Sequence, residues 1–128
     1  MKKVTTIIII AMTMVLISCV MIPHKSEVGF TLWIDGQEYQ DVFDQRSRNL
    51  YPIVVEAKLA DKNEVHFRAY YVEIPDGPFW FWSNHGISTK AFDENNRKNQ
   101  EDGFALIHHQ ALNVASRTIH QATWAKQK

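Results

Sequence analysis

The chain has a single cysteine, Cys19, among 128 residues. A lone cysteine excludes an internal disulfide and a thiolate metal site of the zinc-finger kind. The five glycines stand singly, so the chain holds no glycine-rich loop of the kind that cradles phosphates. An excess of either charge is also missing, because Lys+Arg and Asp+Glu both number 14. This balance excludes the basic face that a nucleic-acid binder needs for phosphate contacts. The sequence shows no G-x-S-x-G, H-E-x-x-H or G-x-G-x-x-G pattern, the usual marks of an acyl-transfer, zinc-protease or dinucleotide site. Nucleic acid is therefore not an expected partner. No cofactor, metal ion or enzymatic activity is expected either, and the sequence shows no internal repeat.

What is present begins with the leader. Lys2 and Lys3 precede an uncharged stretch that reaches Pro23. A positive start, a short apolar run and small residues before a cut form the secretory signal pattern. The run ends in Leu16-Ile17-Ser18-Cys19, which resembles the lipobox of bacterial lipoproteins: an aliphatic residue, a tolerant position, a small residue and a cysteine. The resemblance covers the leader alone. It implies that the Cys19 sulfur receives a diacylglyceryl group, that the chain is cut between Ser18 and Cys19, and that the new amine is acylated. It also implies an outer-membrane address, because Val20 stands where an aspartate would retain such a protein in the inner membrane. The alternative is an uncut anchor, since Val4 to Ile22 approaches the roughly 20 residues that span a bilayer core. Either way the positive residues stay inside and the body lies outside the cytoplasm.

The expected organisation is a signal peptide over residues 1–18, a short lipidated tether over 19–27 and one α+β domain over 28–128. Gly29 to Ile34 is rich in β-branched and aromatic residues and reads as a strand. Asp35-Gly36 then reads as a hairpin turn, with a return strand to Phe43. Ile53, Val55, Ala57 and Leu59 alternate with polar residues, as do Val65, Phe67, Ala69 and Tyr71. Pairing Leu59 with Val65 and Ala57 with Phe67 unites the apolar faces around a loop at Asp61–Asn63 and sets Glu56 opposite Arg68. Ser83 to Gly86 reads as a turn, and the wholly polar Asp93 to Asp102 as a loop or a frayed helix start. In the last segment Phe104, Ile107, Ala111, Val114, Thr118 and Ala122 share one face at about 100° per residue. The expected fold is a small antiparallel sheet of four to five strands with one long C-terminal helix packed on one face.

Two features bear on function. Phe79-Trp80-Phe81-Trp82 places two aromatics on each face of a strand. One pair can fill the core, and the other is either covered or exposed as a partner surface, which makes Trp80, Trp82 and the nearby His85 the candidate binding residues. Of the six histidines, His109 and His120 would project alike from the helix but lie about 16 Å apart along its axis, too far for one metal. The functional expectation is a lipid-anchored envelope protein that binds a protein partner at the periplasmic face of the outer membrane, of immunity, exclusion or accessory-subunit type. A membrane-surface structural lipoprotein without a specific partner is the alternative. In cells fed a fatty-acid probe, the wild-type chain should be labelled and Cys19→Ser should not; equal labelling would remove the anchor.

Overall fold

The computed structural model describes residues 27–128, so the leader, the cleavage site and Cys19 lie outside the described residues. The chain runs β1 (Gly29–Phe30), β2 (Ile34–Asp35), α1 (Gly36–Arg46), β3 (Leu50–Leu59), β4 (Val65–Glu73), β5 (Phe79–Ser88), α2 (Thr89–Glu101), β6 (Ala105–Val114) and β7 (Arg117–Gln127). In the first sheet β4 is central, with β3 on one edge and β1 and β2 in succession on the other. In the second sheet β7 is central between β5 and β6.

This mostly β architecture overturns the expected α+β sheet with one long C-terminal helix. The C-terminal segment is the β6–β7 hairpin. Three local facts explain the misreading. A bulge between Leu106 and His108 breaks the alternation of β6 by inserting one residue into a period of two. Strand β7 is buried on both faces from Ile119 to Trp124, so it shows no alternation at all. The turn carries a left-handed Ala115 (φ 53°) in place of the usual Gly or Asn. The Asp35-Gly36 hairpin is also corrected. Asp35 is the N-cap of α1, its carboxylate accepting from Glu38 N–H at 2.8 Å, an Asp-x-x-Glu capping arrangement. Likewise Ser88 caps α2 by accepting from Ala91 N–H, and the expected turn at Ser83–Gly86 is the continuation of β5. The β3–β4 hairpin pairs as expected, with Leu59 opposite Val65, Ala57 opposite Phe67 and Glu56 opposite Arg68. Its loop holds Lys62 and Asn63 at positive φ.

The two halves are copies of one unit, contrary to the expected lack of a repeat. Each runs strand, helix, strand, strand, with the last strand central. The register repeats as well: Ile34 pairs with Phe67, and 53 residues on Ile87 pairs with His120. The bulge after Pro52 recurs after Leu106, 54 residues on, and the residue inserted is isoleucine in both, Ile53 and Ile107. The N-caps Asp35 and Ser88 correspond, as do the buried helix residues Tyr39 and Phe92.

The units dock edge to face. The free edge of β3 lies on the inner face of the second sheet, where side chains take up its backbone groups. Gln110 accepts from Ala57 N–H at 2.7 Å and donates to Ala57 C=O at 3.2 Å. The buried Gln121 donates to Gln110 and accepts from Gly86 N–H. The apolar core spans the same joint, joining Val55, Ala57 and Phe67 to Val114 and Ile119. Gly86 (φ 64°) is required here, because a Cβ would stand 3.3 Å from the Phe67 ring. Position 33, its equivalent in the first unit, is tryptophan, and that ring lies under Lys58 and Arg68 on the outer face.

In the first unit Glu56 and Arg68 occupy the places of Gln110 and Gln121, and they bond to each other at 2.7 Å with a third of each side chain exposed. Gln110→Ala leaves two buried backbone groups unpaired, each costing about 1–3 kcal/mol, whereas Glu56→Ala breaks a partly solvated pair worth under about 1 kcal/mol. Urea unfolding should therefore rank Gln110→Ala well below Glu56→Ala in stability. Equal losses would contradict the edge-to-face joint.

Candidate functional site

Strand β5 sorts its aromatics by face. Phe79 and Phe81 turn inward to Tyr51, at ring distances of 4.7 and 5.6 Å, and Phe81 meets Phe43 of α1 at 6.4 Å. Trp80 and Trp82 turn the other way and remain 46% and 58% exposed. They stand opposite Lys126 and Trp124 in the register. Trp124 is fully buried, with its indole N–H donating to Asn96 of α2 at 3.0 Å. The candidate trio is thus divided. His85 faces inward, 4.5 Å from the Tyr39 ring and 5.0 Å from Phe67, whereas the two tryptophans are exposed.

A cleft of about 470 Å³ opens between α1 and β5. Tyr39, Gln40 and Phe43 line one wall, and Trp82, Asn84 and His85 the other. Tyr39 lines the cleft, and its hydroxyl and that of Tyr71 are buried without a hydrogen-bond partner. Burial drives both phenols upward, Tyr71 to about 12 against the pull of the adjacent Tyr39 hydroxyl and then of Arg46, whose guanidinium lies 5.2 Å from its ring. Neither phenol ionises at neutral pH. Among the described residues no group of three or more His, Cys, Asp or Glu could hold a metal ion, and no helix is long and apolar enough to cross a membrane.

The second cluster went unseen in the sequence. His109 and His120 are neighbours on β6 and β7, not distant residues of one helix, because the hairpin sets Ala111 opposite His120 and His109 opposite Ala122. His109 Nε2 and His120 Nδ1 are 2.8 Å apart, and His120 Nε2 lies 2.8 Å from Thr89 Oγ1. Phe92 of α2 stacks on both imidazoles, at 4.0 and 5.0 Å. His120 is buried, while Thr89 and His109 reach the surface. Burial, with repulsion from His120 and His108, holds His109 below the usual histidine range, opposed by Asp93. The histidine spacing across a turn was the available signal, and it is informative only once the segment is taken as a hairpin.

Burial also holds the His85 imidazole below its ordinary range, against a smaller opposing effect of the Gly36 backbone. Such a group favours folding above the unfolded value of about 6.5. That contribution is lost as pH falls through the folded value, because the unfolded chain then binds a proton that the folded chain refuses. His109 acts in the same sense. Urea midpoints taken at pH 7.5 and pH 5 should fall on acidification, and less in His85→Phe than in wild type. An identical fall in both would contradict the buried placement of His85.

A family model described as "Polyglycine hydrolase-like, structural repeat" matches residues 81–127. That stretch is the second unit from β5 to β7. The description ties the repeat to a hydrolase-related family and names the repeat itself as structural. No curated protein and no solved structure matches the chain.

Proposed function

We propose that the chain is a lipid-anchored module of the bacterial cell envelope that binds a protein partner through the outward face of β5. The observation that carries this reading is the exposure of Trp80 and Trp82 on a strand whose Phe79 and Phe81 turn inward to pack on Tyr51. Tryptophan concentrates binding energy where it enters a partner's pocket, and exposed apolar patches mark contact sites. The adjoining cleft gives the surface relief, with Trp82 on its wall. The family description supports a scaffold-like module, because it names a structural repeat. The anchor rests on the lipobox-like Leu16–Cys19, and Val20 directs it to the outer membrane with the body in the periplasm. Immunity, exclusion and accessory-subunit roles all fit such a tethered binder. Binding is the work assigned to this face, and no turnover is assigned to it.

Pull-down of the full chain from detergent-solubilised envelopes should recover a stoichiometric protein. Trp80→Ala and Trp82→Ala should each weaken that capture at least about tenfold, the range of a binding hot spot, while melting as wild type does. Vesicle binding that both variants lose, with no protein captured, would favour the membrane-surface reading instead.

A further inference from the structure

The two units provide an internal control that separates what the fold needs from what the second unit adds. Beneath α1 the first unit has Gly36, Phe67 and Val55. The matching positions at the start of α2 and on the strands beneath it are Thr89, His120 and His109. The same backbone is built with an apolar set in one case and a polar set in the other. The three replacements form one continuous chain of contacts, Thr89 Oγ1 to His120 Nε2 at 2.8 Å and His120 Nδ1 to His109 Nε2 at 2.8 Å.

Two polarities satisfy both bonds with neutral rings. In one, Thr89 O–H donates to His120 Nε2, and His120 Nδ1–H donates to His109 Nε2. The other runs in reverse. The first aims the Thr89 proton at a base that a second group orients, the arrangement that activates a hydroxyl nucleophile. The position of Thr89 favours it. Thr89 is the first residue of α2, at the junction where β5 becomes the helix. A strand-to-helix junction is where hydrolases expose a nucleophile, with the next backbone N–H facing the developing oxyanion. Ser88 Oγ takes up the Ala91 N–H. The earlier N–H groups of the first turn have no partner within the helix, and the positive end of its dipole stabilises negative charge at Thr89.

We propose that Thr89, His120 and His109 form an acyl-transfer site on the second unit, acting on carboxylic esters. This activity is independent of partner binding at Trp80 and Trp82. Thr89 Oγ bonds to the ester carbonyl carbon as its proton passes to His120 Nε2, and the carbonyl electron pair moves onto oxygen. Collapse of that intermediate breaks the carbon–alkoxide bond, and the alkoxide leaves with the proton from His120. Water then attacks the acyl-threonine, again with His120 taking and returning a proton, and releases the acid and free Thr89. One ester and one water become one acid and one alcohol, with no change of oxidation state. Thr89 and His120 are the catalytic residues. His109 is a positioning residue that fixes the His120 ring and supports its charge.

The test is labelling of the full chain in detergent with a fluorophosphonate, read by peptide mass, together with p-nitrophenyl acetate cleavage from pH 5 to 9. The expected result is one adduct on Thr89, absent in Thr89→Val and kept in Thr89→Ser. His120→Phe, which installs the first unit's residue, should lower labelling and cleavage at least about 10²-fold, the scale of general-base catalysis. His109→Val should retain the adduct, slow cleavage at least about tenfold and displace the pH profile. Absence of a Thr89 adduct at every pH, or labelling undiminished in His120→Phe, overturns the assignment. If His120→Phe fails to fold, the Thr89→Val and Thr89→Ser pair decides it alone.

Discussion

The structure depends on how one strand edge is covered. A sheet edge presents unpaired N–H and C=O groups that must be satisfied or shielded. Strand β3 solves this without another strand. The Gln110 carboxamide occupies both polar groups of Ala57, and His108 Nε2 meets Val55 C=O at 2.9 Å. Because the edge is held there, the first unit's apolar residues meet Val114 and Ile119, and β5 is brought alongside α1. The cleft, the inward turn of His85 and the outward turn of Trp80 and Trp82 all follow from that joint.

The outer face of the first sheet is built differently from the joint. On the outer face of the first sheet, Trp33 fills the place that Gly86 leaves open in the second, and Glu56 and Arg68 replace the two glutamines with an ion pair. That face is charged and aromatic-covered, and the Glu56–Arg68 pair on it is partly solvated. The opposite edge, β6, exposes His109 and Ala111 where β3 buries Val55 and Ala57. The same fold thus hides a residue in one copy and shows its equivalent in the other, which is how His109 comes to lie at the surface.

Parts of this were legible in the sequence. The β3–β4 hairpin was, because its apolar alternation, its loop and the Glu56–Arg68 pair all pointed to one register. The division of Phe79–Trp82 between two faces was legible from period two alone. Helix α1 was within reach, since Asp35-x-x-Glu38 is a capping signal, but Asp35-Gly36 also imitates a hairpin turn. The β6–β7 hairpin was not legible. A strand buried on both faces and a bulge at Ile107 together imitate helical spacing, and Ala115 gives no turn signal. The repeat was hidden for a different reason. Its copies share geometry and not identity: Tyr71 answers to Trp124, Phe67 to His120, and an ion pair to two amides. The relay under α2 could not be seen before the repeat was, since it is only by comparison with Gly36, Phe67 and Val55 that its polarity stands out.

Amide hydrogen exchange followed by NMR tests the two-unit joint most directly. If the Gln110 clasp holds the units as one body, the Ala57 N–H exchanges only through the opening that also exposes Ala69 and Ala122 on the central strands, while the Ala111 N–H on the free edge of β6 exchanges far faster. An Ala57 amide that exchanges as fast as that of Ala111 would show that the β3 edge is open to water, and the edge-to-face account would be wrong.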